Sequence, residues 1–275
     1  MASYGDILMN AIRFSVQPRR WLPFFIFDSV FLLAAVGLLL TNMSEILNMS
    51  NMGMGMSNNA APMAALYMVN LGLILISGFV LWSLIRLWVS GAVIHQSVKP
   101  KEFGNSWGVA KSRFFSLLAV TIIVGLISGV VGVVPYIGWL LSIIVGLAFL
   151  FAMPAVVAKR LGFENSLRES YRIFRNKPFT VFLIWLAMGI ISIVITLIFL
   201  IPLFITVWGI VAPFLFQASS ATVASLLLMS LMQNVWTLVI GMEILLVGVA
   251  ISSTFALKAE TDFYLKLRKK KYGVF

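Results

Sequence analysis

The sequence predicts an all-α integral membrane protein: six transmembrane helices as three hairpins, each preceded by an interfacial amphipathic helix. Composition is the first reason. The 275 residues are 61% hydrophobic and 11% charged, against about 25% charged in ordinary globular domains, and the mean hydropathy is +1.04. The second is length. Crossing hydrocarbon takes about 20 residues of helix, and six apolar runs satisfy this: 21–41, 64–85, 114–134, 139–158, 179–201 and 223–257. The third is charge segregation. The 20 Lys and Arg residues fall at the N-terminus, in 99–113, in 159–177, in the C-terminal tail and at Arg86, and segments 42–63, 135–138 and 202–222 hold none. An even number of spans puts these basic segments on one side, which the positive-inside rule makes cytoplasmic. The expected location is a cell membrane, with both termini cytoplasmic and the whole chain, 1–275, a single polytopic domain.

In chain order, the first dozen residues are polar and amphipathic. No cleavable signal peptide is expected, because the run from Trp21 to Thr41 is too long and lacks a small-residue cleavage site. Pro18 and Pro23 bracket the start of that span. The 42–63 segment is rich in Met, Asn, Gly and Ser and carries two glycosylation sequons, at Asn42 and Asn48, on the expected outer side. Pro135 to Gly138 reads as a tight outer hairpin. Pro154 falls inside span four and predicts a kink there. Pro178 stands at the first turn of span five, where a missing N–H costs nothing. Span six is longer than a bilayer requires, so it tilts or projects.

Three segments that precede odd-numbered spans resemble one another: Tyr4 to Arg13, Phe103 to Ser112 and Phe163 to Arg172. Aligning Leu8, Trp107 and Leu167 brings Ala11, Ala110 and Ser170 into one column. In the third segment Phe163, Leu167, Tyr171 and Phe174 form an apolar stripe, which the sequence places among acyl chains. The expected repeat units are about 1–98, 99–160 and 161–275. In span three, Gly125 and Gly129 form a small-residue pair suited to close helix approach.

The chain has no Cys and one His, so disulfides, thiolate chemistry and a cysteine- or histidine-rich metal centre are not expected. No nucleotide-binding or catalytic motif occurs, and no loop approaches the size of a soluble domain. The expectation is a non-enzymatic protein without a cofactor. Four positions stand out. Asp28 lies about 10 Å into span one at 1.5 Å per residue, a depth where a carboxylate is costly and calls for a partner. Arg86 either pairs with it or snorkels to the headgroups beside Trp82 and Trp88. Glu243, in span six, is either a neutral packing residue or a proton or ion ligand. The row Arg168, Arg172, Arg175 and Lys177 suits anionic lipid headgroups.

The stretch Arg160 to Phe179 resembles the membrane domain found fused to some glycerophosphodiester phosphodiesterases and occurring alone in six-span prokaryotic relatives. Glu164, Leu167, Ser170, Tyr171 and Arg172 occupy the places that carry the likeness, and Ala11 to Arg13 and the six-span plan agree with it. The resemblance implies a membrane protein without the phosphodiesterase domain. The functional expectation is engagement of anionic lipid headgroups or of a membrane partner, a second copy included, and not of nucleic acid. The alternative is a transporter, channel or lipid-translocating protein that uses Asp28, Arg86 and Glu243.

Overall fold

A computed structural model describes residues 3–42, 60–214 and 220–269. Among these residues no strand occurs, and six helices are long and apolar enough to cross a membrane. The protein is an all-α multi-pass membrane protein. Its helices are α1 (Tyr4–Ser15), α2 (Pro18–Thr41), α3 (Ala60–Val98), α4 (Phe103–Gly132), α5 (Gly138–Phe149), α6 (Ala152–Ala158), α7 (Phe163–Asn176), α8 (Pro178–Val211), α9 (Ser220–Gln233) and α10 (Val235–Lys269). They group into two compact units. One is Ile26–Arg86; the other comprises Met1–Phe25 and Leu87–Phe275.

α1 begins with a capping box. Ser3 Oγ accepts from the Asp6 amide at 3.0 Å, and Asp6 accepts from the Ser3 amide at 2.6 Å. This satisfies two amides that a helix start otherwise leaves open and holds the Asp6 carboxyl below its usual pKa. Ile7, Ala11 and Phe14 form the buried stripe. Ile7 and Ala11 pack with Phe255, Ala259, Phe263 and Tyr264 of α10, so this stripe meets protein and not acyl chains. Pro18 and Pro178 open α2 and α8. A proline pushes the preceding residue out of the α region, and Lys177 accordingly has φ −145° and ψ 56°. The two prolines separate α1 and α7 from the spans that follow. No proline separates 103–113 from 114–132, and there the expected separate helix is absent: its residues are the first turns of α4.

α7 packs into the protein through a polar face, which the sequence reading left unassigned. Ser166, Glu169 and Ser170 point inward, whereas Phe163 and Tyr171 are exposed. The reason lies in span four, the most enclosed of the six. In its most apolar window 44% of residues are buried, against no more than 22% in any other span. Leu147, Phe151 and Ala155 enter the cluster with α1, α8 and α10, while Ala152, Val156 and Val157 enter a second cluster with Leu87, Ile94, Val109 and Leu117. Pro154 breaks this central helix between α5 and α6, since its ring clashes with the carbonyl four residues back and it lacks an N–H. Ser170 of α7 closes the gap. Its hydroxyl donates to the Ala148 carbonyl at 2.8 Å and accepts from the Phe151 amide at 3.1 Å. A polar face on α7 is what the break requires.

Two glycine contacts set close approaches. At the 132–138 turn a Cβ on Gly138 would lie 2.3 Å from the Gly132 carbonyl oxygen, and in the α8/α10 pair a Cβ on Gly248 would lie 2.6 Å from Phe199 Cβ. Gly125 and Gly129 have nothing within 4 Å of such a Cβ, so the small-residue contact forms on α10 and not in span three.

Ser170→Ala strands a buried donor and a buried acceptor, a loss of about 1–3 kcal/mol. Unfolding in detergent should therefore show a clear drop in the midpoint. Ser166→Ala removes only a hydroxyl bonded to the Phe163 carbonyl of its own turn and should shift it little. Equal effects would mean that Ser170 does not seal the break.

Candidate functional site

Asp28 lies on α2 and Trp82 and Arg86 on α3, within the unit Ile26–Arg86. Trp82 and Arg86 are four residues apart and share a helix face. The indole Nε1 donates to Asp28 Oδ1 at 2.7 Å. Arg86 Nη1 lies 3.4 Å from Asp28 Oδ2, and its guanidinium stands 5.1 Å from the centre of the Trp82 ring. Phe31 stacks on the same indole at 5.5 Å. Of the two sequence expectations for Arg86, pairing is therefore the one observed, although its side chain keeps 27% exposure while that of Asp28 keeps 3%. At the far end of the same pair of helices the Tyr67 hydroxyl donates to Asn42 Oδ1, and Asn42 Nδ2 donates to the Leu38 carbonyl. The Asn42 sequon thus has its acceptor amide engaged; the Asn48 sequon lies outside the described residues.

The other unit holds a polar network that sequence reading missed. Arg20 is buried. It donates to Gln96 Oε1 at 2.9 Å and to the Pro100 carbonyl at 3.0 Å, and its guanidinium lies over Phe14, 4.8 Å from the ring centre. Lys258 of α10 approaches the same ring at 5.5 Å and donates to the Ser97 carbonyl and to Asp262, both at 2.9 Å. Phe14 therefore sits among two cations, which its π faces attract. His95 Nδ1 lies 3.3 Å from Ser106 Oγ, whose single proton goes to the Glu102 carbonyl at 2.8 Å. Nδ1 must then carry the proton between them. Outside the spans, Glu102 accepts from Lys99 and Asn105, and these bonds hold its carboxyl below the usual pKa. Glu169 of α7 accepts from the Tyr264 hydroxyl at 2.9 Å and from Arg268 at 3.0 Å.

Lys and Arg look alike to a count, yet Arg20, Arg86, Lys258 and Arg268 are structural ties. The row on α7 is different: Arg168, Arg172 and Arg175 are exposed and Lys177 is half-buried. Arg168 meets only Glu164, at 2.6 Å, in an ion pair that is itself exposed and contributes about 0–1 kcal/mol. Glu243 lies half-buried in α10, in the unit that does not contain Asp28 and Arg86. The signal that could have revealed the network is the polar triplet His95, Gln96 and Ser97 at the end of an apolar run.

Asp28→Asn and Arg86→Gln should each lower the unfolding midpoint in detergent, because removing one partner leaves a charge or dipole in low dielectric. The double variant should recover part of the loss, with a coupling of about 1–3 kcal/mol. Additive losses would make the two residues independent.

No family model, curated protein or solved structure matches the chain, so the functional reading rests on the arrangement of its own residues.

Proposed function

We propose that the chain is a non-enzymatic protein of the cell membrane that engages anionic lipid headgroups at a basic, cytoplasmic surface. The observation that carries this reading is α7. One face is committed to the core through Ser166, Glu169 and Ser170, which leaves Arg168, Arg172 and Arg175 exposed at intervals of four and three residues. This spacing brings three guanidiniums to one side of a short helix. Guanidinium matches phosphate through paired N–H donors, and each basic residue near an anionic surface contributes about 1 kcal/mol. The transport alternative asks for ionisable groups disposed to take cargo. Asp28 is instead held by both Trp82 and Arg86, which favours anchorage.

The test is stabilisation by lipid. Phosphatidylglycerol should raise the unfolding midpoint of the detergent-solubilised protein more than phosphatidylcholine does. The excess should shrink as salt rises, since exposed charges are screened within about 10 Å at 0.1 M. Replacing Arg168, Arg172 and Arg175 together with Gln should remove most of it. Equal stabilisation by both lipids, or an excess that the triple variant retains in full, would contradict the reading.

A further inference from the structure

Between α2 and α3 lies an apolar groove of about 360 Å³, a volume typical of small-ligand sites, which span roughly 300–1,000 Å³. It follows α2 from Phe27 to Leu38 and α3 from Ile74 to Ile85, about 16 Å at 1.5 Å per residue. The indole of Trp82 is the one polar side chain in its lining, so water gains no partners there. Val30, Ile74 and Leu81 are exposed on its rim, and the material that meets such a rim in a bilayer is hydrocarbon.

Polar contacts stand at both ends of this stretch, Asp28 with Trp82 and Arg86 at one and Asn42 with Tyr67 at the other. The first is asymmetric. The Asp28 side chain is closed off at 3% exposure, whereas that of Arg86 keeps 27%. The side chain that reaches the surface beside the groove is therefore the cationic one, and a guanidinium suits phosphate. A long side chain such as Arg also reaches toward the headgroup level while its stem stays among apolar groups.

We propose that the α2/α3 hairpin holds one anionic phospholipid, with an acyl chain in the groove and the phosphate on Arg86. The proposal rests on the lipid-engaging reading above but uses none of the α7 residues.

The test applies native mass spectrometry to the full-length protein in mild detergent, incubated with phosphatidylglycerol or phosphatidylcholine. One phosphatidylglycerol should survive conditions that strip the remaining lipid, and phosphatidylcholine should not. The pair Gly78→Leu and Ala34→Leu fills the groove. A Cβ at residue 78 already lies 3.6 Å from the Phe31 ring, so a longer side chain has to enter the space. This variant should lose the retained lipid. A second measurement needs no variant: phosphatidylglycerol carrying a diazirine in one chain should crosslink to peptides covering 30–38 and 74–82 in preference to those of α8 around Phe204 and Trp208. Retention of the lipid by the filled protein, equal retention of both headgroups, or crosslinks spread evenly over the spans would each overturn the proposal. If the filled groove still holds lipid while the α7 triple variant loses its anionic preference, the groove is wrong and the α7 reading stands. Lipid lost from the filled groove with an unchanged α7 variant gives the reverse.

Discussion

Hydrocarbon offers no water to an open peptide group, so a spanning helix that breaks must find its partners inside the protein. That constraint shapes the packing around α5 and α6. Pro154 opens the most enclosed helix, and the Ser170 hydroxyl bonds to both sides of the gap. For this, α7 must turn a polar face inward, which in turn leaves its arginines on the outer side. Hydroxyls elsewhere obey the same rule within their own helices. Ser83 bonds the Phe79 carbonyl, Thr121 that of Leu117, Thr206 that of Pro202 and Thr254 that of Ala250. These residues carry polarity through the spans without any need for a partner helix.

Charge is handled by a second set of devices. Where a cation is buried or half-buried, carbonyls, an amide or an aromatic ring help to hold it, with or without a carboxylate. Arg20 uses Gln96, the Pro100 carbonyl and Phe14; Lys258 uses the Ser97 carbonyl, Asp262 and the same Phe14. Asp28 receives an indole N–H in addition to Arg86. Partners of this kind offset desolvation, which Coulomb attraction alone offsets poorly in a dry interior. The network ties the α1–α2 junction to the end of α3 and to α10, while Arg168, Arg172 and Arg175 of α7 stay exposed.

Features governed by local chemistry were legible in the sequence. Apolar run length gave the number of spans, although the sixth, read as 223–257, is broken at Asn234 into α9 and α10 and spans as Val235–Arg268; proline located the α1–α2 and α7–α8 junctions and the α5–α6 break. The depths of Asp28 and Arg86 allowed their pairing to be weighed, beside snorkelling, as one of two readings. What failed depended on which faces meet. The Gly125 and Gly129 pair meets none of the described residues of its own chain, while Gly241 and Gly248 receive Leu203 and Phe199. Which side of α7 faces the protein was not legible, because Ser170 is needed against a break in another helix. Residues 103–113 share spacing with the other two segments, yet without a proline they run on into α4. Arg20 and Lys258 were counted as orientation signals, since nothing local separates a buried basic residue from a solvated one.

The account depends most on the basic segments meeting a single membrane surface, and the chain's lack of cysteine makes that directly measurable. Single replacements Asn10→Cys, Asn51→Cys and Arg172→Cys can be reacted with a membrane-impermeant maleimide in intact cells and in inverted vesicles. The account predicts that Asn51→Cys labels only in intact cells, and that Asn10→Cys and Arg172→Cys label only in inverted vesicles. Labelling of Asn10→Cys and Arg172→Cys from opposite sides, or of Asn51→Cys from the same side as either, would contradict it.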